Sequence, residues 1–72
     1  MATGQQATGV RDAHYDIVSV LYHVLQEADT AERYIRDAQE KGDTELAEFF
    51  TQIQKQDRER AERVKQLLKN RL

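Results

Sequence analysis

Cysteine, proline and tryptophan are absent from the 72 residues, and glycine occurs only at 4, 9 and 42. Without cysteine there is no disulfide, no thiolate-ligated zinc or iron–sulfur cluster and no thiol nucleophile. Two histidines, His14 and His23, are too few for a self-contained structural zinc site. Apolar stretches such as Val20-Leu21-Tyr22 fall far short of the roughly 20 residues that a membrane span needs, so no membrane partner is expected. There is no glycine-rich phosphate loop and no nucleophile elbow, so enzymatic chemistry is not expected. The N-terminal Met-Ala-Thr-Gly-Gln-Gln-Ala-Thr-Gly has neither the basic start nor the apolar segment of a secretory signal. Together with the missing cysteines this makes a cytoplasmic location the expectation.

What remains is a charged, amphipathic composition. Lys and Arg number 11 and Asp and Glu 13, for a formal net charge of −2. No global basic field therefore draws the chain to nucleic acid. Residues 1–9 are small and polar and read as a disordered tail. A helical pattern begins near Val10, where Thr8 or Asp12 is placed to cap it, and continues to about Lys41. Gly42 reads as the left-handed residue that ends this helix. A turn at 42–43 follows, with Asp43 or Thr44 as the next cap, and a second helix runs over about 44–70. The expected fold class is all-α: one helical-hairpin domain over residues 10–72. A chain this short buries too little surface to be comfortable alone, and with disulfides excluded, self-association is the default remedy.

The first helix carries Ile17, Leu21, Val24, Ala28, Ala31, Ile35 and Ala38 at alternating four- and three-residue steps. That is a seam for a neighbour crossing near 20°. Val18, Val20, Tyr22 and Leu25 widen the apolar arc beyond what one neighbour covers, which points to a homodimer. On the second helix Leu46, Phe50, Ile53, Val64 and Leu67 read as the facing contacts. Val18, Tyr22, Leu25 and Phe49 read as extensions to a second subunit. Asp57 falls in the middle of the second helix's apolar arc at about 100° per residue. A carboxylate there needs a cation, a metal or a proton. Arg60, one turn on, is the nearest partner. Replacing both with apolar residues is expected to be neutral or stabilising, and Asp57→Leu alone, which leaves Arg60 unpaired, to cost roughly a few kcal/mol.

These residues carry a family resemblance. Glu27, Tyr34 and Ala38, then Gly42, Leu46-Ala47, Phe50 and Asp57-Arg58-Glu59-Arg60-Ala61 resemble half of a ferritin-like bundle. The likeness is to the rubrerythrin and encapsulated-ferritin branch, and it spans roughly residues 20–65. It implies two hairpins joined in a four-helix bundle. In that family a Glu and a Glu-x-x-His pair, contributed twice, hold a di-iron centre. Here Glu27 stands at the first ligand position, Asp57 replaces the second Glu and Arg60 replaces the His. Arginine does not ligate iron, so the resemblance implies a decayed site turned into an ion-pair network of Glu27, Asp57 and Arg60. Two alternatives remain open. One is iron held by Glu27, Asp57 and His23, the histidine one turn before Glu27. The other is an RNA-binding helical-hairpin dimer, since residues 55–72 hold seven basic and three acidic residues. Lys55, Arg58, Arg63, Lys65 and Lys69 read as spread around the helix and interleaved with Glu59 and Glu62, the look of a solvated face. The leading expectation is a non-enzymatic, self-associating interaction or scaffold module.

Overall fold

A computed structural model describes residues 12–72. The expected tail at 1–9, and Thr8 as a possible cap, lie outside these residues. Two helices form an antiparallel hairpin: α1 over Ala13–Glu40 and α2 over Thr44–Lys69. Among the described residues there is no strand. Asp12 is the cap of α1. Its extended backbone (φ −137°) lets a side-chain oxygen accept from the amides of His14 and Tyr15, two donors that have no carbonyl within the helix. The helix thus begins three residues after Val10.

The turn is built as its residues dictate. Gly42 has φ +73°, a conformation that side chains disfavour. Its amide donates to the Gln39 carbonyl (3.0 Å) and that of Asp43 to the Ala38 carbonyl (2.9 Å). This pair of bonds is the Schellman arrangement and closes the end of α1. Asp43 then caps α2 by accepting from the Leu46 amide (3.1 Å). At the open end the His14 ring Nε2 donates to the Arg71 carbonyl (2.7 Å), a tie between the two termini of the hairpin.

On α1 the buried residues are Val24, Ala28, Ala31 and Ala38, with Ile17, Leu21 and Ile35 half-buried between them, as the periodicity predicts. On α2 the seam is rotated from the expected one. Ala47, Gln54, Asp57, Ala61 and Val64 are buried, whereas Leu46, expected in the seam, is 41% exposed. Phe50, Ile53 and Leu67 are half-buried. The reason is steric. Alanines on α1 leave room for a close approach, and that approach is filled by small or slender residues of α2. Bulky Leu46 and Ile53 are turned to its flank.

The seven buried apolar residues are therefore five alanines and two valines. Such side chains bury little area, and transfer free energy scales with area. The hairpin measures 48 × 25 × 16 Å, one helix thick. A single layer has no interior, since a stable core needs a second layer to close on.

Gly42→Ala is expected to cost about 1 kcal/mol in urea unfolding, through backbone strain alone, because no atom lies within 4 Å of the added carbon. Gly42→Asn should lose less, since asparagine tolerates the left-handed region better than other side chains.

Candidate functional site

Seven-residue steps return a helix to nearly the same direction. On α1 they align Val20, Glu27 and Tyr34, and on α2 Leu46, Ile53, Arg60 and Leu67. The antiparallel pairing sets these two rows on one face of the hairpin. At its open end Ile17 and Val20 meet Val64 and Leu67 around a shallow apolar groove. Toward the turn the Tyr34 ring packs on Phe50 (centroids 5.5 Å) and Phe50 on Phe49 (5.9 Å). Val20, Tyr34, Leu46 and Phe49 are all exposed.

Between these two apolar ends lies Asp57. It is 1% exposed, the largest fully buried side chain in the hairpin. Its Oδ1 accepts from Arg60 Nη1 at 3.0 Å, the i, i+3 pair that the sequence suggests. Its Oδ2 is buried without any hydrogen-bond partner. Glu27 reaches the same place from α1. Hydrogen bonding to Asp57 and repulsion by its charge raise the Glu27 pKa above the ordinary 4.5, partial desolvation adds to this, and Arg60 opposes it. With both carboxyls ionised neither can donate, and Asp57 Oδ2 is left unpaired. With a proton on Glu27, its hydroxyl can donate to Asp57. The site is thus a carboxyl pair with one cation, open to water at Glu27 and Arg60 and closed at Asp57.

Arg60 is not buried: its side chain is 53% exposed. This reverses the expected asymmetry of the pair. Losing Asp57 leaves a hydrated guanidinium, whereas losing Arg60 leaves a buried carboxylate with another beside it.

Sequence reading misses one buried polar group, Gln54. Its amide donates to the Ala28 carbonyl (3.0 Å) and to Glu32 Oε1 (2.9 Å), joining the helices beside Asp57. The available signal is spacing, since 47, 54 and 61 recur at seven-residue steps with alanines on either side of Gln54.

The remaining candidates do not converge on this site. His23 is exposed, its ring Nδ1 donates to the Ser19 carbonyl (2.8 Å), and its ring stands edge-on to Tyr22. No group of three potential metal-ligating side chains exists among the described residues. One hairpin offers two adjoining carboxylates and a guanidinium fixed on one of them. That donor set does not fit a ferritin-type iron centre, whose third ligand per hairpin is a neutral imidazole.

Phe49 lies on the carboxyl face through its contact with Phe50. Val18 and Leu25 do not. Each sits two residues, about 160° around the helix, from Val20 and Glu27 respectively, and Tyr22 falls between them. These expected second-subunit contacts therefore belong to two opposite faces. The basic residues of α2 also differ from expectation. Lys55, Arg58, Lys65 and Lys69 are not spread around the helix but fall within an arc of about 80°, with Arg60 and Arg63 outside it. No helix among the described residues is long and apolar enough to cross a membrane.

No protein-family model, no curated protein and no solved structure matches the chain.

Two measurements check the electrostatics. Arg60→Met should destabilise the protein by about 1–2 kcal/mol in urea unfolding near neutral pH, the low end for a buried carboxylate because Arg60 is half in water. Asp57→Leu should be neutral or stabilising, and equal losses in the two variants would contradict this geometry. For Glu27, a raised native pKa means that its favourable contribution is full below pH 4.5 and fades as pH rises through the native value. Glu27→Gln should accordingly flatten the fall of stability with pH above 4.5 and stabilise the protein at pH 7.

Proposed function

We propose that this chain is a non-enzymatic, self-associating interaction module. In this reading two hairpins close face to face on the carboxyl face to form a four-helix bundle. The observation that carries it is the composition of that face. Exposed apolar side chains at both ends flank a carboxylate that is already dehydrated and still has one oxygen without a partner. Large apolar side chains grouped with so small a core want a cover. The broad side of the hairpin measures 48 × 25 Å, room for the ~800 Å² that each partner of a standard interface buries. A two-fold axis through the site would bring four carboxyls and two guanidiniums together, with each half-exposed Arg60 placed to reach the partner subunit. The resemblance to ferritin-like hairpins supports this arrangement, and in it the Glu27, Asp57 and Arg60 cluster fixes register where the family holds metal. A cytoplasmic location goes with the cysteine-free composition.

Iron at the dimer interface is the second reading, favoured by the adjoining carboxyls and the unpartnered Asp57 Oδ2. Two hairpins double the carboxylates but also double the guanidiniums, and for that reason it ranks below the first.

Sedimentation equilibrium should return twice the chain mass, and Ile53→Glu, which sets a charge on the carboxyl face, should shift the population to monomer. A cooperatively folded monomer at all concentrations would remove the proposal. Ferrous iron titration with elemental analysis should show no stoichiometric uptake by the natural chain and a gain with Arg60→His. Stoichiometric uptake that Glu27→Ala abolishes would put the iron reading first.

A further inference from the structure

The flank opposite the carboxyl face has a different character. On α1, Tyr15, Val18, Tyr22 and Leu25 follow one another at three- and four-residue steps, and all four are exposed. On α2, Lys55, Arg58, Glu62, Lys65 and Lys69 do the same. Arg58 and Lys65 each stand two residues, hence about 160°, from Arg60 and Leu67 of the carboxyl face. The register that sets Val20 beside Val64 and Glu27 beside Asp57 places Tyr22 level with Glu62 and Leu25 level with Arg58 and Glu59. An apolar and aromatic row thus runs alongside a basic row over the open half of the hairpin. Within the basic row Glu62 is the one acid and takes Lys65 as its partner (3.2 Å).

We propose that this flank docks an acidic amphipathic helix of another protein. Such a helix would lie along the hairpin as a third rod. Its apolar row would cover Val18, Tyr22 and Leu25, and its carboxylates would face Arg58, Lys65 and Lys69. Charge complementarity selects this occupant over the others. A second copy in two-fold contact here would set the basic row against either the partner's basic row or its apolar row, and neither supplies carboxylates to Arg58 and Lys65. A nucleic acid has no use for Val18 and Leu25, and its phosphates would meet Glu62 within the row and Asp29 and Glu32 beyond Leu25. Helix-in-groove recognition reads apolar anchors at three- and four-residue steps, which is the spacing of the α1 row, and flanking charges set the orientation. The proposal uses other residues than the self-association reading and stands or falls apart from it.

The test is fluorescence anisotropy with the natural chain and a designed helical peptide of about 16 residues, long enough to span the row. The peptide carries leucine at heptad core positions and glutamate beside them; a second peptide has lysine in place of every glutamate. The expected result is saturable binding of the glutamate peptide, at least tenfold tighter than the lysine peptide. Tyr22→Ser should weaken it. The double change Arg58→Glu with Lys65→Glu should reverse the preference. Both changes lie on the surface, and circular dichroism confirms that the variants remain helical. Equal binding of the two peptides, or of neither, overturns the proposal. So does tighter binding of a single-stranded RNA oligonucleotide, lost in the double variant, or self-association lost in Tyr22→Ser.

Discussion

Alanine at 28, 31 and 38 of α1 and at 47 and 61 of α2 removes the bulk that holds two helices apart. The close seam that results is the constraint from which the rest follows. It leaves the hairpin with a core of seven small side chains and turns the larger ones, Val20, Tyr34, Leu46 and Phe49 among them, outward. It also dehydrates Asp57, whose short side chain is drawn into the seam with Gln54, Ala61 and Val64. A layer one helix thick cannot offset those exposures internally, so its faces are the places where function is to be found.

The buried carboxylate is a cost that a purely apolar seam would avoid. Arg60 offsets part of it, and the neighbouring Glu27 adds to it. Polar groups inside apolar seams are known to fix register and partner number at the expense of stability. In this hairpin the cluster lies midway along one face, between two apolar ends, where a misaligned partner would set hydrocarbon against Glu27 and Arg60. The opposite flank has no buried charge and sorts its side chains into an apolar row and a basic one. The two faces thus differ in chemistry, one apolar at both ends around a buried carboxylate and the other an apolar row beside a basic one.

Much of this was legible from residue order. The helix ends to within about a turn, the left-handed Gly42, Asp12 and Asp43 as one of two candidates for each cap, the α1 seam and the Asp57–Arg60 pair all follow from local rules, because each depends on residues within a turn or two. The rotation of α2 did not. Periodicity of bulky residues marks where α2 is apolar, and that is its flank; the seam itself runs through Ala47, Gln54 and Ala61, which hydrophobicity underweights. The same rotation hid the division of Val18, Tyr22 and Leu25 from Phe49, because that emerges only once one helix is set against the other; the alignment of the four basic residues is already present in their three-, seven- and four-residue spacing along α2. The cost expected of Asp57→Leu alone is overturned because the Arg60 side chain leads out of the seam to water, which residue spacing does not reveal.

The central claim is that a second hairpin closes on the carboxyl face, over Glu27 and Arg60. An isotope-filtered nuclear Overhauser experiment on an equimolar mixture of labelled and unlabelled chains tests it most directly. The account requires intermolecular contacts among Val20, Tyr34, Phe49, Ile53 and Leu67, with none from Val18 or Leu25. Intermolecular contacts confined to Val18, Tyr22 and Leu25, or their complete absence at millimolar concentration, would contradict it.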